Sequence, residues 1–403
     1  MKLPKSKALR MVGVRDVRDA NQTVFLHLIR ERQPISRAEI VRATGLSAGT
    51  VSAIVNRLIS ENLVFEGTEG PSSGGRRPTY LQVNAETAYV IALDIGVKDS
   101  VYAISDFNGR ILRQGQLATE GRPEVLLDSI AERVNWLVRH HYPRSRFAAV
   151  GVSIPGLIDR AEGELIVSPN LGWEGVPIRE HLEKRLQLPI YVENDANAAA
   201  FAELWYGPLD EVSVRTLLFI LVVEGIGSGL IINGELHVGS RVGLGGFGHM
   251  TLDRDGPRCS CGRLGCWEAL ASDPATLANY RSLKRRTDPV ARRVSEVIAL
   301  ARDSNSAARE ALRRTAHYLG EGIASLAHGL SPETIVVGGE IAAAWPMIEP
   351  YLKGRVKSSY LIPSVSVPAI RPASVQRPSL YGAIPIALQH YFRPESKLVL
   401  ARF

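Results

Sequence analysis

A chain of 403 residues is too long for one ordinary hydrophobic core, so its length predicts two or three domains. Its hydrophobic content of 45% and charged content of 22% exclude an intrinsically disordered protein. Residues 1–84 carry 13 Lys and Arg against 7 Asp and Glu, although the whole chain has a net charge of only +7. The excess positive charge therefore lies in the first fifth of the chain, as in a small module that contacts phosphates. A basic, solvated tail is the alternative.

The N-terminal residues predict three helices in a compact arrangement. Residues 20–32 place apolar side chains on one face of a helix. Ser36 and Glu39 have the spacing of a capping box, which starts a second helix, and Gly45 permits a tight turn after it. Ser47 can then cap a third helix that carries an apolar stripe. Two helices joined by a tight turn at this spacing are typical of a helix-turn-helix.

The exposed side of the third helix is suited to DNA, because small residues near its start are followed by polar and cationic ones. Two short strands, Leu63–Glu66 and Thr79–Val83, flank a loop rich in Gly, Ser, Pro and Arg, which we interpret as a wing. A trihelical protein–protein module is the alternative. The residues expected to contact DNA are Ser47, Thr50, Ser52, Asn56, Arg57, Arg76 and Arg77.

After the wing, the pattern changes to strands that alternate with helices. Apolar strands are predicted at Tyr89–Ile95 and Ala148–Ile154, and an amphipathic helix at 124–140 lies between them. A second cycle begins with a strand at Thr216–Val223 and includes a long helix at 307–330. This order predicts an α/β fold, and two lobes with a cleft between them are its simplest arrangement.

All three cysteines fall between residues 259 and 266, which is too close for a disulfide framework and indicates a reducing cytoplasm. Three thiolates and one imidazole are the tetrahedral ligand set that structural Zn²⁺ prefers. We therefore predict one structural zinc ion per chain, with buried thiols beside an unrelated histidine as the alternative. The predicted ligands are His249, Cys259, Cys261 and Cys266, and Asp253 and Asp255 are weaker candidates.

Several segments resemble the ROK family, which unites bacterial repressors with sugar kinases, and the similarity covers essentially the whole chain. They are Asp94-Ile95-Gly96, Ser153–Gly156, Ser168–Leu171, Glu193–Asn197, Gly225–Gly229, Gly248-His249, Cys259–Gly262, Gly265–Glu268 and Gly338-Gly339. The resemblance is to repressors of the xylose or N-acetylglucosamine type. It implies a winged helix-turn-helix followed by a two-lobed, sugar-kinase-like domain of the actin/hexokinase type, which is ribonuclease H-like.

The resemblance also implies a sugar pocket, in which family kinases use the Asp of a Glu-Asn-Asp stretch as general base. In this chain the equivalent positions expected to bind a sugar are Gly156, Asn170, Asn194, Asp195, His249 and Glu268. The family usually has Glu three residues before the histidine, whereas this sequence has Gly246. We therefore expect weakened or redirected recognition, toward a different, phosphorylated or modified sugar, with a pocket that binds nothing at all as the alternative. A helix cap at Asn194 and Asp195 is the structural alternative.

The first phosphate loop of family kinases reads Asp-x-Gly-Gly-Thr, but here Val97 and Lys98 replace the second glycine and the threonine. The second loop, Gly225–Gly229, is better preserved, although Glu224 adds a negative charge beside it. We therefore expect no enzyme activity, with Asp195 as a vestigial base position. The predicted function is a sugar-responsive, DNA-binding transcriptional repressor. An ATP-dependent sugar kinase with a fused DNA-binding domain is the alternative, as is a repressor that responds to a protein partner.

The sequence thus predicts a disordered basic arm at 1–19, a winged helix-turn-helix at 20–84 and two α/β lobes. The first lobe is expected at 85–195 together with about 380–403. The second is expected at 196–379, with the zinc loop and a dimerisation surface. The expected partners are double-stranded operator DNA, a small sugar or sugar derivative, and further copies of the chain in a homodimer or homotetramer. We expect a cytoplasmic protein with no membrane contact.

Overall fold

The computed structural model describes residues 22, 24–26, 28–69, 77–208, 216–238, 246–359 and 367–392. Their contacts separate the chain into two units. The first contains the described residues of Met1–Val90, Ser105–Leu112 and Leu388–Phe403, and the second contains those of Ile91–Ile104 and Arg113–Ala387. The predicted arm at 1–19 lies outside the described residues, and the predicted lobe boundaries remain predictions.

The first unit begins with the predicted winged helix-turn-helix. Its elements are α1 over the described residues of 22–32, β1 Ile35–Ser36, α2 Arg37–Thr44, α3 Ala48–Ser60, β2 Val64–Glu69 and β3 Thr79–Val83. The three strands form an antiparallel sheet in the order β1-β3-β2. Ser36 and Glu39 form the predicted capping box, and Gly45 ends α2 with a φ of 67°. The local signals in the sequence therefore set where α2 starts and stops.

Apolar side chains from all three helices form the core of this module. Phe25 and Ile29 of α1, Ile40 of α2 and Val55 of α3 are each at most 1% exposed. The opposite side of α3 faces solvent. This division leaves one face of α3 available for a partner while the other holds the fold together.

A five-stranded sheet and a three-stranded sheet follow. The elements are β4 Tyr89–Ile95, β5 Asp99–Ser105, β6 Ile111–Ala118, α4 Pro123–His141, β7 Phe147–Ile154, β8 Leu157–Asp159, β9 Glu164–Ser168, β10 Trp173–Val176, α5 Ile178–Leu186, β11 Ile190–Asn194 and α6 Asp195–Tyr206. The larger sheet has the order β11-β7-β4-β5-β6, with β11 parallel to β7. The smaller, in the order β10-β9-β8, is antiparallel.

A second five-stranded sheet completes the α/β fold, in the order β14-β13-β12-β15-β16. The elements are β12 Thr216–Val222, β13 Ile226–Ile232, β14 Glu235–His237, α7 Trp267–Ala271, α8 Asp273–Leu283, α9 Val294–Arg302, α10 Ser306–Leu330, β15 Thr334–Gly338, α11 Trp345–Ser359, β16 Ala369–Pro372 and α12 Pro378–Phe392. None of the described helices is both long and apolar enough to cross a membrane.

The glycines of Gly225–Gly229 do not form the loop that the sequence predicted, because β13 already begins at Ile226. A Cβ atom at Gly227 would lie 2.7 Å from the Ala196 Cβ atom, and one at Gly229 would lie 2.6 Å from the Ala196 carbonyl oxygen. These two glycines therefore allow α6 to lie directly against β13. Of these glycines, only Gly225 lies before the strand, in the bend between β12 and β13.

Candidate functional site

A cavity of about 370 Å³ lies in the second unit, where strands of both five-stranded sheets end. The segments that follow β4, β7, β11 and β12 all contribute to its wall. Ligands of α/β proteins bind at such strand ends, since the loops there carry side chains on a rigid support. The cavity wall includes all of the predicted sugar-binding residues, Gly156, Asn170, Asn194, Asp195, His249 and Glu268.

Asn194 and Asp195 lie where β11 passes into α6. Asn194 Oδ1 accepts hydrogen bonds from the backbone N–H groups of Ala196 and Asn197, at 2.9 and 3.2 Å. Its Nδ2 donates to the Gly156 carbonyl oxygen at 3.1 Å. The helix cap that we considered as the alternative is therefore present at Asn194, and it fixes the position of Asp195 as the first residue of α6.

Two carboxyl groups of the cavity titrate unusually close to neutrality. Burial raises the pKa of Asp195 to about 6, although hydrogen bonds from the backbone N–H groups at the start of α6 oppose the increase. Burial, followed by the charge of Asp195, raises the pKa of Asp94 to about 7. Above these pH values both groups are strong hydrogen-bond acceptors that have lost most of their water, which is the state in which sugar hydroxyl groups bind well.

Asn170 and Glu268 come together across Gly225. A Cβ atom at Gly225 would lie 2.9 Å from Asn170 Nδ2 and 2.8 Å from Glu268 Oε2. Any larger residue would therefore push these two polar side chains apart. A Cβ atom at Gly246, in contrast, would have no atom of the described residues within 4 Å. Gly246 is the position at which the ROK resemblance led us to expect Glu.

Arg160 and Glu193 also line the cavity, although the sequence did not point to the arginine. Arg160 Nε lies 2.7 Å from Glu193 Oε2, and the Glu193 side chain is only 2% exposed. The other carboxylate oxygen accepts from Asn197 Nδ2 at 2.9 Å. Glu193 belongs to a motif that the sequence revealed, whereas Arg160 follows the irregular hairpin strand β8 and carries no local signal.

The four predicted metal ligands form one cluster, in which all ligand atoms lie within 4.8 Å of one another. Cys259 Sγ lies 3.6 Å from His249 Nδ1, and Cys261 Sγ lies 3.7 Å from Cys266 Sγ. Such a cluster of three thiols and an imidazole could hold a metal ion.

Glu268 connects this cluster with the cavity. Its Oε1 accepts a hydrogen bond from Cys259 Sγ at 3.0 Å and lies 3.4 Å from His249 Nδ1. Because His249 presents Nδ1 to the cluster and also lines the cavity, its Nε2 is the nitrogen that remains for a ligand. Asp253 and Asp255, the weaker metal candidates, lie outside the cluster and bond to each other through the Asp255 backbone N–H.

Lys98, which we expected at the threonine position of a phosphate loop, is paired with Glu224 and is therefore not a free cation. Their side chains approach to 2.7 Å, and the pKa of Lys98 is raised, chiefly by this hydrogen bond. Asp273 lies in the same neighbourhood, where burial and then the charges of Glu224 and Glu340 raise its pKa to about 7. Three acidic residues therefore surround one lysine beside the cavity.

Four of the predicted DNA contacts, Thr50, Ser52, Asn56 and Arg57, lie on α3 away from its buried face, and Ser47 is the residue that caps the start of this helix. Arg77 precedes β3, and Arg76 lies outside the described residues. Ser47 Oγ accepts from the Thr50 backbone N–H at 3.2 Å and lies 2.9 Å from Thr50 Oγ1. Arg57 Nε donates to Glu61 Oε1 at 2.8 Å. The structure therefore brings Ser47, Thr50, Ser52, Asn56 and Arg57 together on one helix and its N-cap, and their contacts with DNA remain predictions.

The sequence model of the ROK family matches residues 90–390, which is most of the chain, and that of the MarR family matches residues 17–77. The chain belongs to the ROK family. A xylose repressor of Bacillus spizizenii is 33% identical over 85% of this chain and 88% of its own length. The ROK resemblance and the winged helix-turn-helix predicted from the sequence are therefore confirmed.

Two solved ROK structures share the fold. A ROK family transcriptional regulator, a homologue of the Escherichia coli MLC protein, superimposes with a TM-score of 0.78 and 22% identity, covering 94% of this chain and 97% of its own. A ROK family glucokinase from Streptomyces griseus, in complex with glucose and AMPPNP, has a TM-score of 0.68 and 27% identity and covers 75% of this chain and all of its own. The fold therefore occurs in both regulators and kinases.

We expect Asp94→Asn to increase the free energy of unfolding at pH 8 and to leave it nearly unchanged at pH 4. The carboxyl pKa rises from 3.8 to about 7 on folding. The folded state therefore holds the proton more tightly, so stability falls as the pH rises from about 4 to 7, and the full cost is present above pH 7. Because one pKa unit corresponds to about 1.4 kcal/mol, Asp94→Asn should increase the free energy of unfolding at pH 8 by on the order of 2–4 kcal/mol.

Urea unfolding followed by circular dichroism at the two pH values measures this difference. Asp99→Asn, at an exposed position of β5, is the matched control and should change little at either pH. An equal effect of Asp94→Asn at pH 4 and pH 8 would show that proton binding is not the cause.

Proposed function

We propose that this ROK protein is a transcriptional repressor of sugar-utilisation genes, and that a sugar in the cavity controls its affinity for operator DNA. The observation that carries the proposal is the presence, in one chain, of a winged helix-turn-helix with a polar exposed face and a cavity lined by buried hydrogen-bonding groups. The relative named as a xylose repressor supports the same combination. A protein that acts on the bacterial chromosome and keeps its cysteines reduced would work in the cytoplasm.

The DNA-binding part of the proposal rests on α3. Its exposed positions are small or polar, so the helix could approach base edges in the major groove. Two copies of the chain, in a homodimer or a homotetramer, would place two such helices on a two-fold-related operator. A repressor of sugar-utilisation genes must leave its operator when the sugar is present, so we expect sugar binding to weaken DNA binding.

The cavity favours an uncharged sugar over a sugar phosphate. Among its described lining residues are five acidic side chains, Asp94, Glu193, Asp195, Glu224 and Glu268. Arg160 is their one permanently charged basic counterpart in that wall, and Glu193 neutralises it. A phosphate group would bring about two negative charges into this acidic cavity and be repelled, whereas hydroxyl groups could donate hydrogen bonds to the carboxylates.

Control of DNA binding requires that the bound sugar favour one conformation of the chain. Strand β4 offers a covalent route for this control. It ends at Ile95, beside the cavity residue Asp94, and it begins at Tyr89, two residues after Thr87. Thr87 Oγ1 donates to the carbonyl oxygen of Asn62, which lies two residues after the end of α3. A shift of β4 on sugar binding would thus reach the end of α3.

The same geometry argues against kinase activity. Phosphoryl transfer needs cationic or backbone N–H groups around the nucleotide phosphates. Here Lys98 is occupied by Glu224, and Asp273 and Glu340 add further negative charge. A nucleotide triphosphate would be repelled from this neighbourhood. We therefore propose that Asp195 serves as a hydroxyl acceptor and that its family role as general base is vestigial.

The metal cluster fits a structural zinc ion. With Zn–S bonds of about 2.3 Å, tetrahedral geometry places two thiolates about 3.8 Å apart. The Cys261–Cys266 separation of 3.7 Å agrees with that value. Zinc held by His249, Cys259, Cys261 and Cys266 would leave no open coordination position. It would fix the loop from which His249 and Glu268 reach the cavity.

We expect Asp195→Asn to weaken sugar binding roughly 10- to 100-fold, because charged hydrogen bonds contribute about 1.5–3 kcal/mol. Titration calorimetry with D-xylose, glucose and N-acetylglucosamine measures the affinity, and fluorescence anisotropy on an operator selected from random duplexes measures DNA binding. The variant should still bind the operator but should respond to sugar only at higher concentration. Unaltered sugar affinity in Asp195→Asn, with Asp99→Asn as control, would contradict the assignment of the cavity.

A coupled assay with ATP and the same three sugars distinguishes the proposed repressor from the alternative, a sugar kinase with a fused DNA-binding domain. We expect no turnover above the rate without protein, since the phosphate-binding groups are lost or neutralised. Turnover that disappears in Asp195→Asn would instead establish the kinase.

Loss of the metal should destabilise the second unit. We expect purified protein to contain one zinc ion per chain by plasma mass spectrometry, and Cys261→Ser to lose it and to melt several degrees lower in calorimetry. Asp255→Asn tests the weaker candidate and should retain the metal. Full zinc content in Cys261→Ser would refute the proposed ligand set.

A further inference from the structure

Asn56, on the exposed side of α3, is held by an arginine from the preceding helix. Arg37 is the first residue of α2, and its Nη1 and Nη2 each lie 3.0 Å from Asn56 Oδ1. Its Nη2 also lies 2.7 Å from Glu66 Oε1, on β2. This group of three side chains, the Arg37 network, therefore joins both helices of the helix-turn-helix to the first strand of the wing.

The chemistry of Arg37 decides which end of the Asn56 amide faces outward. A guanidinium group only donates hydrogen bonds, so the amide oxygen of Asn56 must be the atom that faces it. That oxygen has two lone pairs, and the two Arg37 nitrogen atoms engage both. The Nδ2 group, with its two N–H donors, is the part of Asn56 that remains for another molecule.

We propose that Arg37 is a positioning residue that makes Asn56 a pure hydrogen-bond donor toward DNA, and thereby a specificity determinant of the operator. The inference rests on the proposed DNA-binding function. An unrestrained asparagine pairs with adenine by donating to N7 and accepting from the N6 amino group. The accepting half of that pattern is occupied in this protein, so Asn56 favours a base that presents acceptors alone.

Guanine is the base that fits this donor best. Its O6 and N7 atoms are neighbouring acceptors in the major groove, and the two N–H groups of Nδ2 can reach both. Adenine offers only N7 beside a donating amino group, which faces the Asn56 donor unfavourably. The network therefore predicts a preference for guanine over adenine at the base that Asn56 contacts.

The network also limits what Arg37 itself contributes to DNA affinity. The Glu66 carboxylate, 2.7 Å from Arg37 Nη2, offsets the charge of Arg37, and the Arg37 side chain is only 29% exposed. A cation that contacts a phosphate changes the salt dependence of binding, whereas a neutralised one does not. Arg37 should thus change which sequence is bound without changing how steeply binding depends on salt.

The experiment compares full-length wild type with Arg37→Met, Asn56→Ala and the double variant. Each is used to select duplexes from a random pool, and anisotropy then gives affinities at several salt concentrations. Arg42→Met is the matched control, because Arg42 is an exposed arginine in the last turn of the same helix. Arg37→Met should lose about tenfold of the guanine-over-adenine discrimination at one operator position, equivalent to about 1.4 kcal/mol.

Asn56→Ala should lose discrimination at that same position, and Arg37→Met should add nothing to it in the double variant. The slope of affinity against salt should stay as in wild type for Arg37→Met, and Arg42→Met should keep the base preference. If Arg37→Met does not fold, Arg37→Lys keeps the charge with a single donor atom and should show partial loss at the same position.

Unaltered base preference in Arg37→Met or Arg37→Lys would overturn the role of Arg37. The role of Arg37 would also be overturned if Arg37→Met kept the base preference but reduced the slope of log affinity against log salt by about 0.9, because that change indicates a phosphate contact. A wild-type preference for adenine at the Asn56 position would contradict the donor assignment. A wild type that binds all duplexes alike would instead overturn the proposed DNA-binding function itself.

Discussion

Asp94, Glu193 and Asp195 are carboxyl groups that the fold withdraws from water, and each such group must be protonated, hydrogen-bonded or paired with a cation. The fold meets this requirement differently for each. Glu193 has Arg160 and Asn197 as partners, Asp195 has the backbone N–H groups at the start of α6, and Asp94 holds its proton up to about pH 7. Asp94 and Asp195 thus have the fewest partners in this wall, and they are the groups to which hydroxyl groups of the proposed sugar could donate.

Close backbone packing makes this crowding of polar groups possible. Gly227 and Gly229 allow α6 to lie against β13, and α6 carries Asp195 at its first position. Gly225 admits Asn170 and Glu268 to the same wall, and Glu268 also reaches the metal cluster. A sugar that bonds to these groups would act on a strand end, a helix start and the loop of the proposed metal site at once. That is the physical basis on which we propose that the cavity controls DNA binding.

Much of this architecture could be predicted from the sequence, because the signals are local. The capping box of Ser36 and Glu39 fixes the start of α2. Three cysteines with successive spacings of two and five residues indicate the metal cluster before any fold is known. The motif of Glu193–Asn197 placed Asn194 and Asp195 in the cavity wall.

The contacts that the sequence did not predict join side chains that are distant in the chain. Arg37 meets Asn56 and Glu66, and Lys98 meets Glu224, through packing of separate elements. Arg160 likewise reaches the cavity only because a short hairpin returns it to Glu193. The prediction of a loop at Gly225–Gly229 was wrong for the same reason. The role of the two glycines in β13 depends on the close approach of α6, which their spacing in the sequence does not reveal.

In the mechanism that we propose, a single coupling free energy links sugar binding in the cavity to DNA binding by α3. This coupling is tested most directly by measuring the affinity of the effector sugar for free protein and for protein saturated with operator DNA. Thermodynamic linkage requires that DNA lower the sugar affinity by the same factor by which sugar lowers the DNA affinity. We predict equal factors of at least about tenfold, or about 1.4 kcal/mol. Identical sugar affinities with and without DNA would contradict the account.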